Sequence, residues 1–481
     1  MRCLKKRALL FIALSGALLL AGCGSNDTTS QTTYNNGTGN LPFKPTTHLL
    51  HRSLVTNYYA GQLQVVDTVY DKLTTFTFPT GAQPTYMQPS PDGTLTLINN
   101  SGAGSLSSFN NNQESVKAAV NLGGYTESFV TSLNNKFGFA AVPSYSNGIV
   151  RTSGAIVRFN PTDGSLNTQI PFPYVEYLGM DAAEKHLLAF TQSDDSANWV
   201  DLTTIDPNTQ VPPYYPLTLS DANGSYALSR PIAVFFSSDS SKAYVLNCGV
   251  ECGGNTYTVT TSSLTACPTA NPAALSLTCI YPAYVSEIDA TSIVVPASPV
   301  TGTAITAKVL KTWPLLGARH GLIDLTANKL YVAGSSTTSV ANDCPFADVG
   351  TPACAANSGG NNVQDGYFTV IDLAAGTAGQ AIRVGNGVKR WIRNINGVYW
   401  VASLNCGVQS CITMVSPTGP TVSVLPTAHG DATGVSLSVN SGEVYTIEGG
   451  VLFIYDQKAN PITSQYNTDI KGQASDVLYI N

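Results

Sequence analysis

The chain has 481 residues and a formal net charge of −6, and only 11% of its residues are charged, against about a quarter in an ordinary soluble protein. A net-acidic chain without a basic cluster argues against nucleic acid as a partner and against adsorption to anionic lipid headgroups. Its 42 glycines and 27 prolines interrupt helical periodicity throughout, which favours a β-rich fold with many turns.

The first 22 residues have the pattern of an export signal. Four basic residues between positions 2 and 7 precede an apolar run from Ala8 to Leu20, which is long enough for a secretory signal and too short to span a bilayer. The run ends in Leu20-Ala21-Gly22-Cys23, which resembles the lipobox of bacterial lipoproteins. The resemblance implies that residues 1–22 are removed and that Cys23 is acylated. An ordinary signal peptide followed by an unrelated cysteine is the alternative.

Two features of the following segment extend this interpretation. Residue 24 is glycine rather than aspartate, which in lipoproteins implies delivery to the outer membrane, on its periplasmic side or at the cell surface. Residues 24–45 are rich in Ser, Asn, Thr, Gly and Gln and cannot bury enough surface to offset their conformational entropy. We therefore expect 23–45 to be an acylated, disordered tether and 46–481 to be the folded domain.

A repeat of about 40–45 residues, the length of one propeller blade, runs through residues 50–481. In its clearest copy, one strand ends in Val55-Thr56-Asn57, a second ends in Val65-Val66-Asp67, a third covers Lys72–Phe78, and a turn follows at Ser90-Pro91-Asp92-Gly93. This copy resembles the YVTN repeat of the YVTN/lactonase-like propeller superfamily. The resemblance implies an all-β fold, a β-propeller with four antiparallel strands in each blade.

The repeat predicts eight blades when the four strands of each are named A (innermost) to D (outermost). Strand B is predicted at Ser53–Asn57, Leu95–Asn99, Phe137–Ala141, His186–Phe190, Ala243–Asn247, Leu330–Ala333, Val398–Ala402 and Glu443–Ile447. The chain thus opens on a strand B and closes on an A-like strand, Ser475–Asn481. This last strand would complete the first blade and close the ring. Seven blades is the alternative, with the weak fourth repeat an elaboration.

Antiparallel geometry sorts the connections onto two faces, with A–B and C–D turns on one and B–C and D–A loops on the other. The A–B turns are tight, whereas the B–C connections at 143–154, about 248–283 and about 334–366 are long. Long loops on a rigid scaffold often carry function. The B–C/D–A face is therefore the predicted working face.

The cysteines that follow Cys23 all fall in B–C connections. They form four close pairs: Cys248/Cys252, Cys267/Cys279, Cys344/Cys354 and Cys406/Cys411. In an oxidising compartment such pairs indicate disulfides. Local pairing is the simplest connectivity, and a zinc site built from two pairs is the alternative.

The starts of the A strands carry many of the chain's few charges. The candidate binding residues at this channel mouth are Glu127, Glu176, Arg230, Arg319, His320, Lys389, Arg390, His429 and Asp431. Acids fall in blades 3 and 4 and bases in the blades that follow, which predicts a polarised mouth with one side suited to anionic groups. The alternative is that these charges only solvate the rim and pair with one another.

Four aspartates recur at the end of strand C, at Asp67, Asp289, Asp372 and Asp456. A residue repeated from blade to blade is better explained as a cap of the C–D turn than as a catalytic group.

The chain lacks the sequence signatures of hydrolases, nucleotide-binding proteins and c-type cytochromes. We therefore predict a monomeric, non-enzymatic binding or scaffold propeller without catalytic residues, cofactor or metal, whose partner is a protein or glycan. The alternative is a lactonase- or hydrolase-like enzyme at the channel mouth. That enzyme could be metal-assisted, because His320 and His429 occupy matching places two blades apart.

Overall fold

Short strands rich in β-branched and aromatic residues account for nearly all the regular structure, and no α-helix occurs among the residues described. The computed structural model describes residues 47, 49 and 51–480, except 147–150, 192–193, 261–277, 337–364, 394–396, 405–409, 417–420, 426, 428, 439–441, 459–461, 463, 469 and 471. Within these ranges, no helix is long and apolar enough to cross a membrane.

The strands form eight antiparallel blades, each ordered A-B-C-D in space. Blade 1 consists of Ala474–Ile480, Arg52–Asn57, Gln62–Asp67 and Lys72–Pro79, and blade 2 consists of Pro84–Pro89, Leu95–Asn100, Ser105–Asn110 and Ser115–Asn121. Blade 3 consists of Ser128–Thr131, Gly138–Val142, Ala155–Phe159 and Leu166–Pro171, and blade 4 consists of Val175–Met180, His186–Thr191, Ala197–Asp201 and Tyr214–Asp221.

Blades 5 to 8 follow the same order. Blade 5 consists of Pro231–Phe236, Lys242–Asn247, Ala283–Asp289 and Ile305–Leu315, and blade 6 consists of His320–Asp324, Lys329–Ser336, Asp365–Asp372 and a split strand D, Thr377–Ala378 with Ile382–Val384. Blade 7 consists of Val388–Arg393, Tyr399–Ser403, Ile412–Ser416 and Thr421–Val424, and blade 8 consists of Ala432–Leu437, Glu443–Glu448, Val451–Asp456 and Ser464–Thr468. The remaining short elements are Tyr145–Ser146 with Arg151–Thr152, Gly224–Tyr226, Tyr257–Thr260 with Thr278–Tyr281, and the 3₁₀ turns Gly249–Cys252 and Ala290–Ser292.

The prediction of eight blades is confirmed, and the weak fourth repeat is a complete blade. The ring closes as expected, because the C-terminal strand pairs antiparallel with Arg52–Asn57 in the register Leu54↔Leu478. The closing strand also contacts blade 2, where the backbone N–H of Met87 donates to Oδ2 of buried Asp476 at 2.7 Å. Closure therefore joins the two ends of the folded domain and two neighbouring blades.

One contact between blades has no counterpart in the sequence pattern. The outermost strands of blades 4 and 5 pair in parallel, from Leu217↔Ile305 to Ser220↔Lys308. This pairing is possible because strand D of blade 5 is 11 residues long and runs past the edge of its own sheet. It joins the two blades at the rim and covers an otherwise open strand edge.

The core lies between blades, where both sheet faces are covered. All six residues of strand B in blades 1 and 2 are buried, as expected for strands packed on both sides. The packing crosses from one blade to the next, as where Trp400 of blade 7 meets Tyr455 of blade 8 at a ring distance of 6.1 Å.

The repeated strand-C aspartates cap the C–D turns, as predicted. Their Oδ1 atoms accept backbone N–H groups two or three residues ahead, at 2.9 Å for Asp67, 3.0 Å for Asp289, 2.8 Å for Asp372 and 2.8 Å for Asp456. These turns lie on the face opposite the B–C loops and have a structural role.

Candidate functional site

The innermost strands begin with a recurring β-bulge that the sequence pattern did not predict. In blades 1, 2, 4, 5, 7 and 8 the second residue of strand A has no partner on strand B. These unpaired residues are Ser475, Thr85, Glu176, Ile232, Lys389 and Thr433. Glu127 and Arg319 hold the corresponding place in blades 3 and 6, directly before the first paired residues Ser128 and His320. We call these eight residues, which share one position at the start of strand A, the mouth ring.

The charged members of the mouth ring fall in two groups of neighbouring blades. Its acids, Glu127 and Glu176, belong to blades 3 and 4, whereas Arg319 and Lys389 belong to blades 6 and 7. The burial of Glu176 and its repulsion by Glu127 raise the pKa of the Glu176 carboxyl, while Arg319 and Arg230 act in the opposite direction. Side chains from blades 3, 4, 5 and 6 therefore act on one shared space.

Tyrosine hydroxyls converge on Glu127. Tyr125 donates to Oε1 at 2.7 Å, Tyr177 donates to Oε2 at 3.0 Å, and Tyr86 donates to the backbone carbonyl of Glu127 at 3.1 Å. Burial raises the pKa values of Tyr125 and Tyr177, and the nearby carboxylates raise them further. Both phenols therefore stay protonated and continue to donate at neutral pH.

A disulfide-closed loop lies between the two arginines of the mouth. We call residues Cys248–Asn255 the bracing loop, because it contains the Cys248–Cys252 disulfide and both of its ends are tied to blade 5. The Cys248 N–H donates to the Arg230 carbonyl at 3.0 Å, and the Asn255 N–H donates to Oγ of Ser229 at 2.6 Å. The pairing of Cys248 with Cys252 was predicted from their spacing.

The bracing loop contacts both guanidinium groups. Nη1 of Arg319 donates to Sγ of Cys252 at 2.8 Å, and Nη2 of Arg230 lies 3.5 Å from the carbonyl oxygen of Gly253. Glu251 in the same loop accepts the Ser335 N–H at 2.8 Å. Burial raises the pKa of Glu251, and the charge of Arg319 opposes that shift. The loop thus positions the arginines and supplies a carboxyl group beside one of them.

Arg230 has a second acidic neighbour. Its Nε lies 3.7 Å from Oδ1 of Asp195, which also accepts the Arg230 backbone N–H at 3.0 Å. Arg230 has a φ of 51°, a conformation that non-glycine residues seldom adopt. The bond to Asp195 and the bracing loop hold this backbone in place.

His429 of blade 8 is paired with a buried acid. Its Nδ1 lies 3.4 Å from Oε2 of Glu448, whose side chain is fully buried, and its ring stacks on Phe453 at 3.9 Å. The other carboxylate oxygen, Oε1, accepts from Thr446 at 2.6 Å and from Tyr455 at 2.8 Å. Burial raises the pKa of Glu448, while the hydroxyl donors and His429 lower it.

The remaining predicted mouth residues are placed as follows. His320 begins strand A of blade 6 and pairs with Ala333. Asp431 is exposed, and its carbonyl oxygen accepts the Gly449 N–H at 2.9 Å. Lys389 and Arg390 lie in strand A of blade 7, but their side chains fall outside the described part of the structure. Across the part of the chain that is described, no three His, Cys, Asp or Glu side chains are arranged to hold a metal ion.

The other predicted disulfides are described only in part. Cys411 is buried and disulfide-bonded, and Cys279 lies in the strand Thr278–Tyr281. The other cysteines of these pairs, Cys267, Cys344, Cys354 and Cys406, lie outside the described residues, as does the predicted lipid site Cys23. These assignments stay predictions.

Sequence reasoning missed Tyr125, Tyr177, Asp195, Glu251 and Glu448. One signal was available for Glu448. It pairs with Ala432, the residue just before the bulge of blade 8, and the strand-B residues at the same position in the other bulged blades are uncharged. The six paired examples are Asn57, Asn100, Thr191, Asn247, Ser403 and Glu448. Glu448 is the one ionisable member of this set.

The ring of four-stranded sheets defines the protein as a β-propeller. A solved structure of the dihydro-heme d1 dehydrogenase NirN in complex with DHE is similar over 91% of this chain and 77% of that chain, at 13% identity and a TM-score of 0.54. At that identity the likeness shows the fold alone.

Two further solved structures are similar at lower scores. The Pseudomonas aeruginosa periplasmic gluconolactonase PpgL has 13% identity and a TM-score of 0.45, over 90% of this chain and 99% of that one. A putative 6-phosphogluconolactonase from Bacteroides uniformis has 12% identity and a TM-score of 0.45, over 89% and 99%. No protein-family model matches the chain, and no curated protein matches it.

Proposed function

We propose that the protein is a non-enzymatic binding propeller of the bacterial envelope, anchored through an acylated Cys23, whose B–C/D–A face binds a protein or glycan carrying anionic groups. The observation that carries this proposal is the arginine pair of the mouth. Arg230 and Arg319 come from neighbouring blades and contact one bracing loop closed by a disulfide. Groups whose side chains are already fixed lose less conformational entropy when a ligand binds.

The test of the binding face is a comparison of variants against one acidic partner. Immobilised wild-type protein is presented with envelope glycans and proteins, and each bound species is then titrated against Arg230→Ala and Arg319→Ala. Loss of a charge-assisted hydrogen bond of about 1.5–3 kcal/mol weakens binding roughly tenfold or more. Lys185→Ala is the matched control, because Lys185 is an exposed base on the opposite face of blade 4. Equal binding by the arginine variants and the control would refute the assignment of the face.

The anchor has its own test. Cys23→Ser should move the protein from the membrane fraction to the periplasmic extract, because loss of the acyl chains removes about 0.8 kcal/mol of membrane affinity per buried CH₂. Unchanged membrane association would contradict the lipid anchor and leave the binding face unaffected.

A second candidate function is lactonase- or hydrolase-like activity at the same mouth. The observation that favours it is Glu176, a carboxyl group with a raised pKa beside a second carboxylate, Glu127. Such pairs can supply an acid and a base to one reaction. Hydrolysis of sugar lactones by the purified protein, abolished by Glu176→Gln, would establish this activity. Its absence in the wild type would dismiss it.

A further inference from the structure

We propose that the Cys248–Cys252 disulfide of the bracing loop is redox-active: a dithiol reduces it, and the Cys252 thiolate then pairs with Arg319 and cancels that positive charge in the mouth. The inference deepens the proposed function, because it makes the anion-binding side of the mouth respond to redox conditions. It rests on the proposed function for that consequence alone, since the pairing of a thiolate with Arg319 requires no ligand.

The first support is the contact between a guanidinium group and a disulfide sulfur. Nη1 of Arg319 donates to Sγ of Cys252 at 2.8 Å, and Arg319 is exposed. A disulfide sulfur is neutral and a weak acceptor, whereas a thiolate in the same place would carry a full opposite charge. Because a neighbouring arginine favours the thiolate over the thiol, this contact becomes stronger when the disulfide is reduced.

The second support is the difference in access between the two sulfur atoms. Cys248 is fully buried, whereas Cys252 is partly exposed, so a dithiol attacks at Cys252. The S–S bond breaks, the Cys248 sulfur leaves with the electron pair and takes up a proton, and a mixed disulfide forms at Cys252. The second thiol of the reductant then closes the reductant's own disulfide and releases Cys252 as a thiolate. In total the dithiol loses two electrons, the protein disulfide gains two, and one proton goes to solvent.

The third support is that hydrogen bonds hold the bracing loop independently of the disulfide. The Val250 N–H donates to the Pro282 carbonyl at 3.0 Å, and Glu251 accepts the Ser335 N–H at 2.8 Å. These bonds tie the residues directly before Cys252 to blades 5 and 6. The bonded cysteines are only four positions apart in the chain, and a cross-link that short restricts the unfolded chain little. The reduced loop should therefore keep Cys252 beside Arg319.

The charged groups around the loop also favour a thiolate at Cys252. They are Arg319, Arg230, Glu251, Asp195 and Glu176. Asp195 faces Arg230, and burial raises the pKa of Glu251, which opposes its ionisation. Arg319 is in direct contact with the sulfur, so its charge should have the largest effect on the ionisation of the thiol.

Reactivity of the reduced Cys252 tests the pairing without any ligand. The folded protein is reduced with dithiothreitol, and alkylation of Cys252 by iodoacetamide is followed from pH 5 to pH 9 by mass spectrometry of the chymotryptic peptide that ends at Tyr257. We expect the midpoint of reactivity below about pH 7.5, against about 8.5 for an ordinary thiol. Arg319→Gln should shift the midpoint upward by about one pH unit or more, and Arg319→Lys should shift it less. Lys185→Gln is the matched control, because it removes an exposed base on the opposite face of the disc.

Propionate affinity, measured by calorimetry at pH 7, tests the consequence for the mouth. Reduction should weaken propionate binding by the wild type about tenfold, the scale of one charge-assisted hydrogen bond. The double variant Cys248→Ser/Cys252→Ser lacks both the disulfide and the thiolate, so its affinity should fall less. Dithiothreitol should leave the affinity of this variant unchanged, which controls for reduction of the other cysteines.

The outcomes separate this inference from the proposed function. A disulfide that resists dithiothreitol in the folded protein, a midpoint that Arg319→Gln does not shift, or equal propionate affinity before and after reduction would overturn the inference. If the oxidised protein binds propionate in those cases, the proposed function survives. A low midpoint that depends on Arg319, in a protein that binds no propionate in either state, would support the redox pairing and refute the proposed binding face.

Discussion

Replacing Glu448 by asparagine should make the protein more stable at alkaline pH relative to the wild type. Blades 1, 2 and 5 place Asn57, Asn100 and Asn247 at the equivalent position, so the fold accepts this residue. The wild-type carboxyl is fully buried, and its nearest basic group is the His429 imidazole, whose Nδ1 lies 3.4 Å from Oε2. A buried carboxylate loses several kcal/mol of hydration, which one ion pair repays only in part.

The sign of the pH dependence follows from the raised pKa of Glu448. A carboxyl group whose pKa is higher in the folded than in the unfolded state stabilises the fold at pH values below its unfolded-state pKa, about 4.3. This contribution is lost as the pH rises through the folded-state pKa. The loss is about 1.4 kcal/mol for each pKa unit of elevation. Glu448→Asn has no such group, so its stability relative to the wild type should increase between pH 5 and pH 8.

Thermal unfolding of both proteins at pH 5, 6, 7 and 8 measures the effect, and 1 kcal/mol corresponds to a shift on the order of 2 °C for a large domain. His429→Phe is the informative companion. It removes the imidazole and leaves only the Thr446 and Tyr455 hydroxyls at the Glu448 carboxyl, so the stability of this variant should fall more steeply with pH than that of the wild type. Parallel pH profiles for the wild type and Glu448→Asn would refute the view that this carboxyl is ionised at a cost.

Three further expectations concern the scaffold and the mouth. Replacing Cys248 and Cys252 by serine should lower the free energy of unfolding by about 2 kcal/mol, as expected for a short closed loop, and should weaken binding of anionic probes. Unchanged affinity in calorimetry would show that the loop does not position the arginines. Asp476→Ala removes the acceptor of the Met87 N–H and should lower the free energy of unfolding by about 1.5–3 kcal/mol. An unchanged denaturation midpoint would show that this contact does not stabilise the closure of the ring. The double variant Glu176→Arg/Arg319→Glu keeps the net charge but places a carboxylate beside Glu251, which now interacts with Arg319. We therefore expect a modest fall in melting temperature and weaker binding of anionic probes, and unchanged affinity for those probes would show that the position of the positive charge in the mouth is unimportant.

The features that follow from local sequence were predictable. The eight B strands were placed within a few residues of their observed bounds, as with Leu95–Asn99 against Leu95–Asn100, because each combines a β-rich apolar run with flanking turn residues. The capping role of Asp67 and its equivalents was predictable for the same reason, since an aspartate bonds to N–H groups only two or three positions ahead. Ring closure followed from counting strands at the two ends of the repeat.

Features that depend on two distant segments were not predictable from one sequence. The bulge before Tyr177 depends on the register with His186–Thr191, and a one-residue offset leaves no trace in composition. The parallel contact of Leu217 with Ile305 depends on how far one outer strand extends. The tyrosines at Glu127 come from blades 2, 3 and 4, so their convergence exists only after the ring has closed.

The bulge explains why a repeat protein can change its ligand without changing its scaffold. A residue without a ladder partner contributes little to strand pairing, so substitution there costs less than at a paired position. The observed residues include serine, threonine, glutamate, isoleucine and lysine at one structural position, while the strand-B residues opposite stay buried. Four of the eight mouth-ring residues are charged, and both signs occur among them. If the mouth binds a ligand as proposed, we expect its selectivity to depend on the sequence of the mouth ring and the stability of the fold to depend on the strands behind it.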